Sequence, residues 1–326
     1  MIAASIFVGM QSTIVRSSLL GILSTLFLST GLIVNSLNTF HGAHWAWTAS
    51  LRFLLLLPVL TALLLLRGKL GPLLSTLRRM PGTFLLWGNL CFGGYYALLS
   101  YAIRLAPGWL VTAGFMTTVL AGLLLSPFIY RDHRAVISKK ALLLSVLLVV
   151  CLFTLQLGRI EGVALSHMGL GIALSLVAAF LWPLGNRKLL LALENEHVQL
   201  DPMQRVLGMT IGSLPMLIAL SVWGYLSSGA PTTMQLESSF VAVLFSGVLG
   251  GVLFYKAMQM AGQNKMALLT VEATQIFGVL FTLLGEMLFK GVPWPGLYAT
   301  IGFSAMFGVL IIYMVLASRP AKNSVW

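Results

Sequence analysis

Long apolar segments separated by short polar turns make up most of this chain. Ten of them have about the 20-residue length that a helix needs to cross a bilayer, and they lack the two-residue alternation of a barrel strand. They are 18–38, 42–66, 82–103, 108–130, 139–157, 168–186, 204–226, 240–261, 267–289 and 295–317. The pattern therefore predicts an all-α membrane protein with ten transmembrane helices.

The composition excludes the other broad classes. Of the 326 residues, 58% are hydrophobic and 9% are charged, whereas a soluble domain has about a quarter of its residues charged. Such apolarity also argues against disorder, and two cysteines do not make a disulfide-stapled scaffold. Cys91 and Cys151 both lie in apolar segments, where we expect packed thiols.

The positions of the basic residues explain the net charge of +12. With the N-terminus placed inside, 15 basic residues fall on the inner side, while Arg104, Arg159 and Lys290 fall on the outer side. The inner residues are Arg16, Arg67, Lys69, Arg78, Arg79, Arg131, Arg134, Lys139, Lys140, Arg187, Lys188, Arg205, Lys265, Arg319 and Lys322. This asymmetry is the positive-inside signal. It predicts cytoplasmic termini. Topology accounts for the positive net charge, so the charge does not indicate a nucleic-acid partner.

The chain contains a weak internal repeat. The run Tyr101–Pro107 resembles Lys256–Gly262 at an offset of 155 residues, and Gly-Gly pairs precede both runs. Small residues then recur at every fourth position, at an offset of 156: Gly114, Thr118, Gly122 and Ser126, and Thr270, Thr274, Gly278 and Thr282. We predict an N-terminal cytoplasmic tail (1–17), two five-helix repeats (18–165 and 166–317) and a C-terminal tail (318–326). An odd number of spans inverts the second repeat, an architecture that supports alternating access.

These features together resemble the drug/metabolite transporter superfamily. The chain looks like a ten-helix, EamA-like member of its multidrug-resistance-efflux branch over nearly all of 18–317. The motifs are Ala49–Phe53 with Arg52, the Tyr101–Pro107 hairpin, Leu181–Pro183, Val271–Gln275 followed by Phe281, and Gly285–Glu286. The resemblance implies export of small organic compounds across a bacterial inner membrane, often by proton antiport. Span four departs from the pattern, with Ile129–Tyr130 in place of the closing Gly-Glu.

Three ionisable residues lie inside the predicted spans, where charge is costly and often functional. They are Arg52, Lys256 and Glu272. Lys256 and Glu272 flank one tight turn at matching depth, on the order of 9 Å from the inner end. They form either a structural ion pair or a switch in which Glu272 responds to protons and substrate. Arg52 has no acidic residue at its depth. It is either satisfied by backbone carbonyls or by polar side chains such as Asn35, Asn89 or Gln275, or it is an anion-binding or gating cation.

Other polar and aromatic residues are candidates for lining a substrate cavity. Gln275, Val279 and Glu286 fall within about 60° of Glu272 around span nine. Glu286 is expected to form an i,i+4 pair with Lys290. The candidate cavity residues are Asn35, Asn89, Trp87, Tyr95, Tyr96, Trp182 and Tyr255. Planar cations stack on such aromatic rings, although packing between helices is the common alternative for the aromatic residues and interhelical hydrogen bonding for the asparagines.

The sequence therefore favours a secondary transporter that exports drugs or metabolites by proton antiport. The first alternative is a metabolite or anion exchanger of the same fold, and the second is a non-transporting receptor or assembly subunit. No enzyme motif, ATP-binding loop or set of metal ligands is present in the sequence, so we expect no enzymatic activity, cofactor or metal. The expected partners are the lipid bilayer, the substrate, and a proton or an exchanged counter-solute. The protein is expected to be a monomer or a homodimer.

Overall fold

A computed structural model describes residues 2–137, 139–154, 165–261 and 265–318 of the protein. Within these ranges every regular element is helical, which confirms the predicted all-α class. The helices are α1 (Ile2–Phe40), α2 (Trp45–Leu66), α3 (Leu70–Arg79), α4 (Pro81–Gly88), α5 (Tyr95–Leu105), α6 (Gly108–Met116), α7 (Thr118–Ile129), α8 (Lys139–Thr154), α9 (Leu165–Asn195), α10 (Pro202–Gly212), α11 (Leu214–Ser228), α12 (Thr233–Ala242), α13 (Gly251–Ala261), α14 (Lys265–Thr274), α15 (Gly278–Lys290) and α16 (Leu297–Ser318).

Several of these helices are long and apolar enough to cross a membrane, so this is a multi-pass membrane protein. Over the described residues there are six such segments, and α10 with α11 forms a further one that bends by 53°. The six are Thr13–Phe40, Trp45–Leu66, Gly108–Ile129, Ser166–Asn195, Thr233–Ala261 and Thr270–Lys290. The other three predicted segments (82–103, 139–157 and 295–317) coincide with α4–α5, α8 and α16.

Helix α1 begins before the predicted first span. It runs without a break from Ile2 to Phe40, so the segment predicted as a tail at 1–17 is helical from Ile2 onward. The hydroxyls of Ser17 and Ser18 both donate to the carbonyl of Ile14. These bonds satisfy polar groups that are almost fully buried, so α1 can pack against α13, α14 and α15.

Two pairs of helical irregularities occur in the same order along the chain. A π-helical segment, Asn89–Gly94, leads into α5, and a second one, Val243–Gly250, leads into α13. Each π segment ends at a glycine of the Gly-Gly pairs, where a missing Cβ eases the irregular turn. The next membrane helix is then interrupted, at Thr117 between α6 and α7 and at Gln275–Phe277 between α14 and α15.

Glycines allow α4 and α10 to cross with their backbones in contact. A Cβ on Gly212 would lie 2.0 Å from the carbonyl oxygen of Phe84, and one on Gly88 would lie 2.6 Å from that of Met209. Such a close approach lets helices associate in lipid through van der Waals contact.

Exposed ion pairs connect elements at the end of the bundle where α2 finishes. Lys69 pairs with Asp201 at 2.9 Å, Arg79 with Glu196 at 2.5 Å, and Arg134 with Glu194 at 2.8 Å. Each pair joins an early part of the chain to α9 or to the turn that follows it.

Asp201 also caps α10, and its replacement by alanine should lower stability by about 1 kcal/mol. Its carboxylate accepts a bond from the backbone N–H of Gln204, and the Gln204 side chain accepts from the backbone N–H of Asp201. Burial raises the pKa of Asp201, but hydrogen bonds from Gln204 and Lys69 outweigh burial and leave that pKa below its ordinary value. Because the folded pKa is the lower one, this stability is present above the unfolded pKa and is lost as pH falls through the folded pKa.

Thermal unfolding in detergent between pH 3 and pH 7 measures this effect. The wild type should lose more stability on acidification than Asp201→Ala does. The control is Glu237→Ala, which removes an exposed carboxylate on α12. Equal acid sensitivity of the wild type and Asp201→Ala would contradict the assignment.

Candidate functional site

A cavity of about 470 Å³ lies among helices from both ends of the chain. Its walls include residues of α1, α2, α5, α7, α9, α10, α13 and α14. Most of the lining is apolar, which is typical of sites for small organic molecules.

Four charged residues line the cavity within the described part of the chain. They are Arg52, Arg187, Arg205 and Glu272. Gln275 lines it one turn beyond Glu272, whereas Val279 and Glu286, which the sequence placed on the same helix face, are outside the lining. The structure therefore places two of the three predicted intramembrane charges, Arg52 and Glu272, at one cavity.

Arg52 on α2 is held by neutral groups. Its Nη2 donates to the hydroxyl of Ser246 at 2.7 Å, and its guanidinium carbon lies 4.7 Å from the ring centroid of Tyr96. The hydroxyl of Tyr96 in turn donates to the carbonyl of Gly31 at 3.1 Å. The guanidinium is therefore positioned by a hydroxyl and an aromatic face, and not by the asparagines or Gln275 considered from the sequence.

The absence of a side chain at Gly31 makes room for this guanidinium. A Cβ there would lie 1.9 Å from Nη1 of Arg52, so Gly31→Ala should displace Arg52 and break its bond to Ser246. We expect a loss of about 1 kcal/mol of stability. In an Arg52→Ala background the same substitution should cost much less stability. Chemical denaturation in mixed micelles measures the unfolding free energy of the wild type, the two single variants and the double variant. Additive effects of the two substitutions would contradict this coupling.

Arg187 on α9 reaches across to α7. Its Nη1 donates to the carbonyl of Gly122 at 2.5 Å and to the hydroxyl of Ser126 at 2.7 Å. Arg187 is also the cation that acts on Glu272 electrostatically. The cavity carboxylate thus has an arginine as its charged neighbour, where the sequence had suggested Lys256.

Arg205 near the start of α10 lies against Tyr255 of α13. Its guanidinium carbon is 5.5 Å from the centroid of the Tyr255 ring. Its Nε is buried and has no hydrogen-bond partner in the structure. A buried donor without a partner costs free energy, so this atom is poised to bind an acceptor.

Aromatic rings form one wall of the cavity. Trp182 stacks on Phe92 with ring centroids 5.7 Å apart, and its ring centroid is 4.8 Å from that of Tyr95. The ring centroid of Phe115 lies 5.7 Å from that of Tyr95. Of the five aromatic residues predicted as cavity candidates, Tyr95, Tyr96, Trp182 and Tyr255 line the cavity.

The predicted pairing of Lys256 with Glu272 is wrong. Lys256 is exposed, and no salt bridge in the described ranges joins it to Glu272. The preceding residue, Tyr255, faces the cavity, and the next residue along an α-helix is rotated by about 100°. Lys256 therefore lies on a different face of α13 from Tyr255, which lines the cavity.

Three other candidates lie outside the cavity lining. Asn89 bonds between helices, donating to the carbonyl of Gly212 and accepting from the backbone N–H of Met216. Asn35 is fully buried and donates to the Ser100 hydroxyl at 2.9 Å. Trp87 packs against the hydrophobic core. These residues therefore hold helices together, as their alternative interpretation predicted.

Glu286 forms the predicted pair with Lys290, at 3.1 Å, and does more than that. Its buried carboxylate also accepts from the Ser36 hydroxyl and from the backbone N–H groups of Gly108 and Trp109, the latter two at 3.2 Å. It thus caps the N-terminus of α6 and connects α1, α6 and α15, at the end of the bundle opposite the exposed ion pairs.

Arg187 and Arg205 are the site residues that sequence reasoning missed, because both were counted among the inner-face charges. Two signals were available. Arg205 falls just inside its predicted span. Arg187 follows Pro183 by four residues, so Arg187 and Pro183 lie on the same face of one helix. Helix α9 continues to Asn195, well beyond the predicted end at 186.

Comparison with known proteins identifies the family. Residues 15–319 match the family described as "EmrE: Putative multidrug resistance efflux transporter". The chain belongs to the EmrE-like family of the drug/metabolite transporter superfamily. This confirms the resemblance drawn from the sequence motifs, and the family is one of transporters and not of enzymes.

Relatives of this EmrE-like protein extend over most of its length. The "Uncharacterized protein YjlA" of Bacillus subtilis (strain 168) is 34% identical over 316 residues, covering 94% of this chain and 96% of the relative. The "Uncharacterized 42.1 kDa protein in intracellular alkaline protease 3'region" of Shouchella clausii is 31% identical over 289 residues, covering 86% and 75%. A solved crystal structure with 16% identity matches with a TM-score of 0.66 over 94% of this chain and 99% of the other, so the two share a fold.

Proposed function

We propose that this protein is a secondary transporter that exports small organic compounds by alternating access, with the cavity as its substrate site. The observation that carries the proposal is a largely apolar cavity of about 470 Å³ that holds four charged side chains inside a membrane protein. Charges at such depth are costly and are retained where solutes or ions pass. The transporter family of the chain supports the same conclusion.

The proposed architecture is ten membrane spans arranged as two inverted repeats of five, at 18–165 and 166–317. The paired irregularities support it. A π-helical segment, an 11-residue helix and an interrupted membrane helix follow one another in each proposed repeat: Asn89–Gly94 with α5, and Val243–Gly250 with α13. With five spans in each repeat, the halves have opposite topology and can rock about a central site. The proposed location is a bacterial inner membrane with both termini cytoplasmic.

The first coupling mode is proton antiport through Glu272. It is the one carboxylate among the charged cavity residues of the described chain. In this mode a substrate and a proton compete for Glu272, and Arg187 balances the carboxylate when neither is bound. Gln275, one turn away on the same face, supplies an amide for orientation of the solute.

The second coupling mode is exchange of one anionic metabolite for another. The observation that favours it is the excess of three arginines over one carboxylate in the cavity. Exchange needs no carboxylate that gains and loses a proton, so substitution of Glu272 separates the two modes.

Transport by purified protein in liposomes tests these proposals. With proton antiport, an aromatic cation such as ethidium that is added outside the liposomes enters them as protons leave their interior. Glu272→Gln abolishes this release of protons. With exchange, uptake of a labelled organic anion requires the same anion inside. Glu237→Gln, which changes an exposed carboxylate, is the matched control. If no solute of either charge moves, the transport proposal is wrong and a receptor or assembly role takes its place.

A further inference from the structure

We infer that the compound carried in this cavity is an aromatic organic anion, a planar ring system that bears a carboxylate or phosphate group. The inference rests on the proposed transport function and deepens it by naming the substrate class. It draws on three observations: the sign of the cavity charge, an unsatisfied buried donor, and the aromatic wall.

The charge of the cavity favours an anion. Arg52, Arg187 and Arg205 stand against one carboxylate among the described residues of the lining, so the lining carries a surplus of two positive charges even with Glu272 ionised. None of the salt bridges found in the described ranges involves these arginines. A cationic solute would add to this surplus, whereas an anion would neutralise part of it.

The donors of the arginines are available to an anionic ligand. The Nε of Arg205 is buried and has no hydrogen-bond partner among the described residues. The acceptors that hold Arg52 are the neutral hydroxyls of Ser246 and Tyr96. A guanidinium presents several N–H groups in one plane, which matches the oxygens of a carboxylate or a phosphate. An anionic ligand would therefore give the Nε of Arg205 an acceptor and would offer Arg52 a charged acceptor in addition to its neutral ones.

The aromatic wall indicates the body of the same ligand. Phe92, Trp182 and Tyr95 present neighbouring rings to the cavity, with Phe115 beyond them. Rings in this arrangement favour offset or edge-on contact with another planar ring. A small inorganic anion would leave this wall without a partner, so the ligand combines a planar apolar body with an anionic group.

An anionic substrate also selects between the two coupling modes. Arg187 and Glu272 line the same cavity, so an anion bound at Arg187 competes with that carboxylate for the positive charge. A substrate cation that exchanges with a proton on Glu272 has no role in this arrangement. The inference therefore favours exchange of anions over proton antiport.

A charge series on one aromatic scaffold tests the inference. The probes are 2-naphthyl phosphate, 2-naphthoate, 2-naphthamide and 2-naphthylmethylammonium, together with inorganic phosphate, added to the purified full chain in detergent. Binding is followed by calorimetry and by thermal stabilisation, since a bound ligand raises the unfolding temperature. We expect the two aromatic anions to bind at least about tenfold more tightly than the neutral amide, and the ammonium to bind more weakly than the amide.

Arginine variants locate the bound anion. Arg187→Gln and Arg205→Gln should each weaken the binding of 2-naphthyl phosphate by about tenfold to hundredfold, with little effect on the binding of 2-naphthamide. Arg78→Gln, which removes an exposed arginine on α3, is the matched control and should bind like the wild type. If a glutamine variant does not fold, Arg187→Lys keeps the charge but loses the planar fork, and the wild-type charge series stands without any variant.

Each remaining outcome overturns a stated part of the inference. Tighter binding of the ammonium, lost in Glu272→Gln, would refute the anionic substrate while leaving the proposed transport function intact. Inorganic phosphate that binds as tightly as 2-naphthyl phosphate would refute the aromatic body. If none of the probes binds, the aromatic organic anion is refuted as the substrate class, and the liposome assay then decides the proposed transport function separately.

Discussion

Replacing Glu286 by alanine should destabilise the fold by about 3–5 kcal/mol, the largest single effect we expect in this protein. The carboxylate accepts from Ser36, Lys290 and two backbone N–H groups at the start of α6. Its removal leaves the ammonium of Lys290, whose side chain is 15% exposed, without a counter-charge. It also leaves the buried first turn of α6 uncapped.

A double-mutant cycle separates these contributions. Lys290→Met removes the stranded charge, so the double variant Glu286→Ala/Lys290→Met should recover part of the loss. Chemical denaturation in mixed micelles measures the unfolding free energy of the wild type, the two single variants and the double variant. Glu237→Ala, at an exposed carboxylate, serves as the control and should change stability little. A Glu286→Ala protein as stable as this control would show that the buried network contributes nothing.

Replacing Gly212 by alanine should cost about 3 kcal/mol or more, the upper part of the range for overpacked sites. The added Cβ would lie 2.0 Å from the backbone oxygen of Phe84. A backbone atom cannot move aside as the end of a side chain can. Helices α4 and α10 must then separate, which also strains the bonds from Asn89 to Gly212 and Met216.

Gly308 on α16 provides the matched control for this substitution. No heavy atom lies within 4 Å of a Cβ placed there, so Gly308→Ala only removes the entropic cost of glycine in a helix. It should stabilise the protein by up to about 1 kcal/mol. The two alanine substitutions are thus expected to have opposite signs, and equal unfolding midpoints for both proteins would contradict the close crossing of α4 and α10.

The fold class and part of the candidate site could be predicted from the sequence, because these predictions use quantities that can be counted along a chain. Apolar length predicts membrane helices, and a rise of 1.5 Å per residue gives the depth of a charge. Arg52 and Glu272 were identified as candidate site residues in this way, and both line the cavity. The i,i+4 pair of Glu286 and Lys290 is equally local.

The direction of a side chain around its helix axis could not be counted in the same way. A π-helical segment precedes α13 and alters the rotation of the residues after it. Lys256 is exposed, whereas its neighbour Tyr255 lines the cavity. Arg187 was missed because α9 continues to Asn195, so a residue interpreted as part of a loop belongs to the cavity wall.

The two ends of the bundle differ in their sensitivity to dissolved ions. The pairs Lys69–Asp201, Arg79–Glu196 and Arg134–Glu194 are exposed, and such pairs are screened by salt, whose Debye length is about 8 Å at physiological ionic strength. The carboxylate of Glu286 at the other end is buried and beyond the reach of that screening. A rise in ionic strength therefore loosens one end of the bundle and leaves the other unchanged, so the protein responds to salt asymmetrically along the membrane normal.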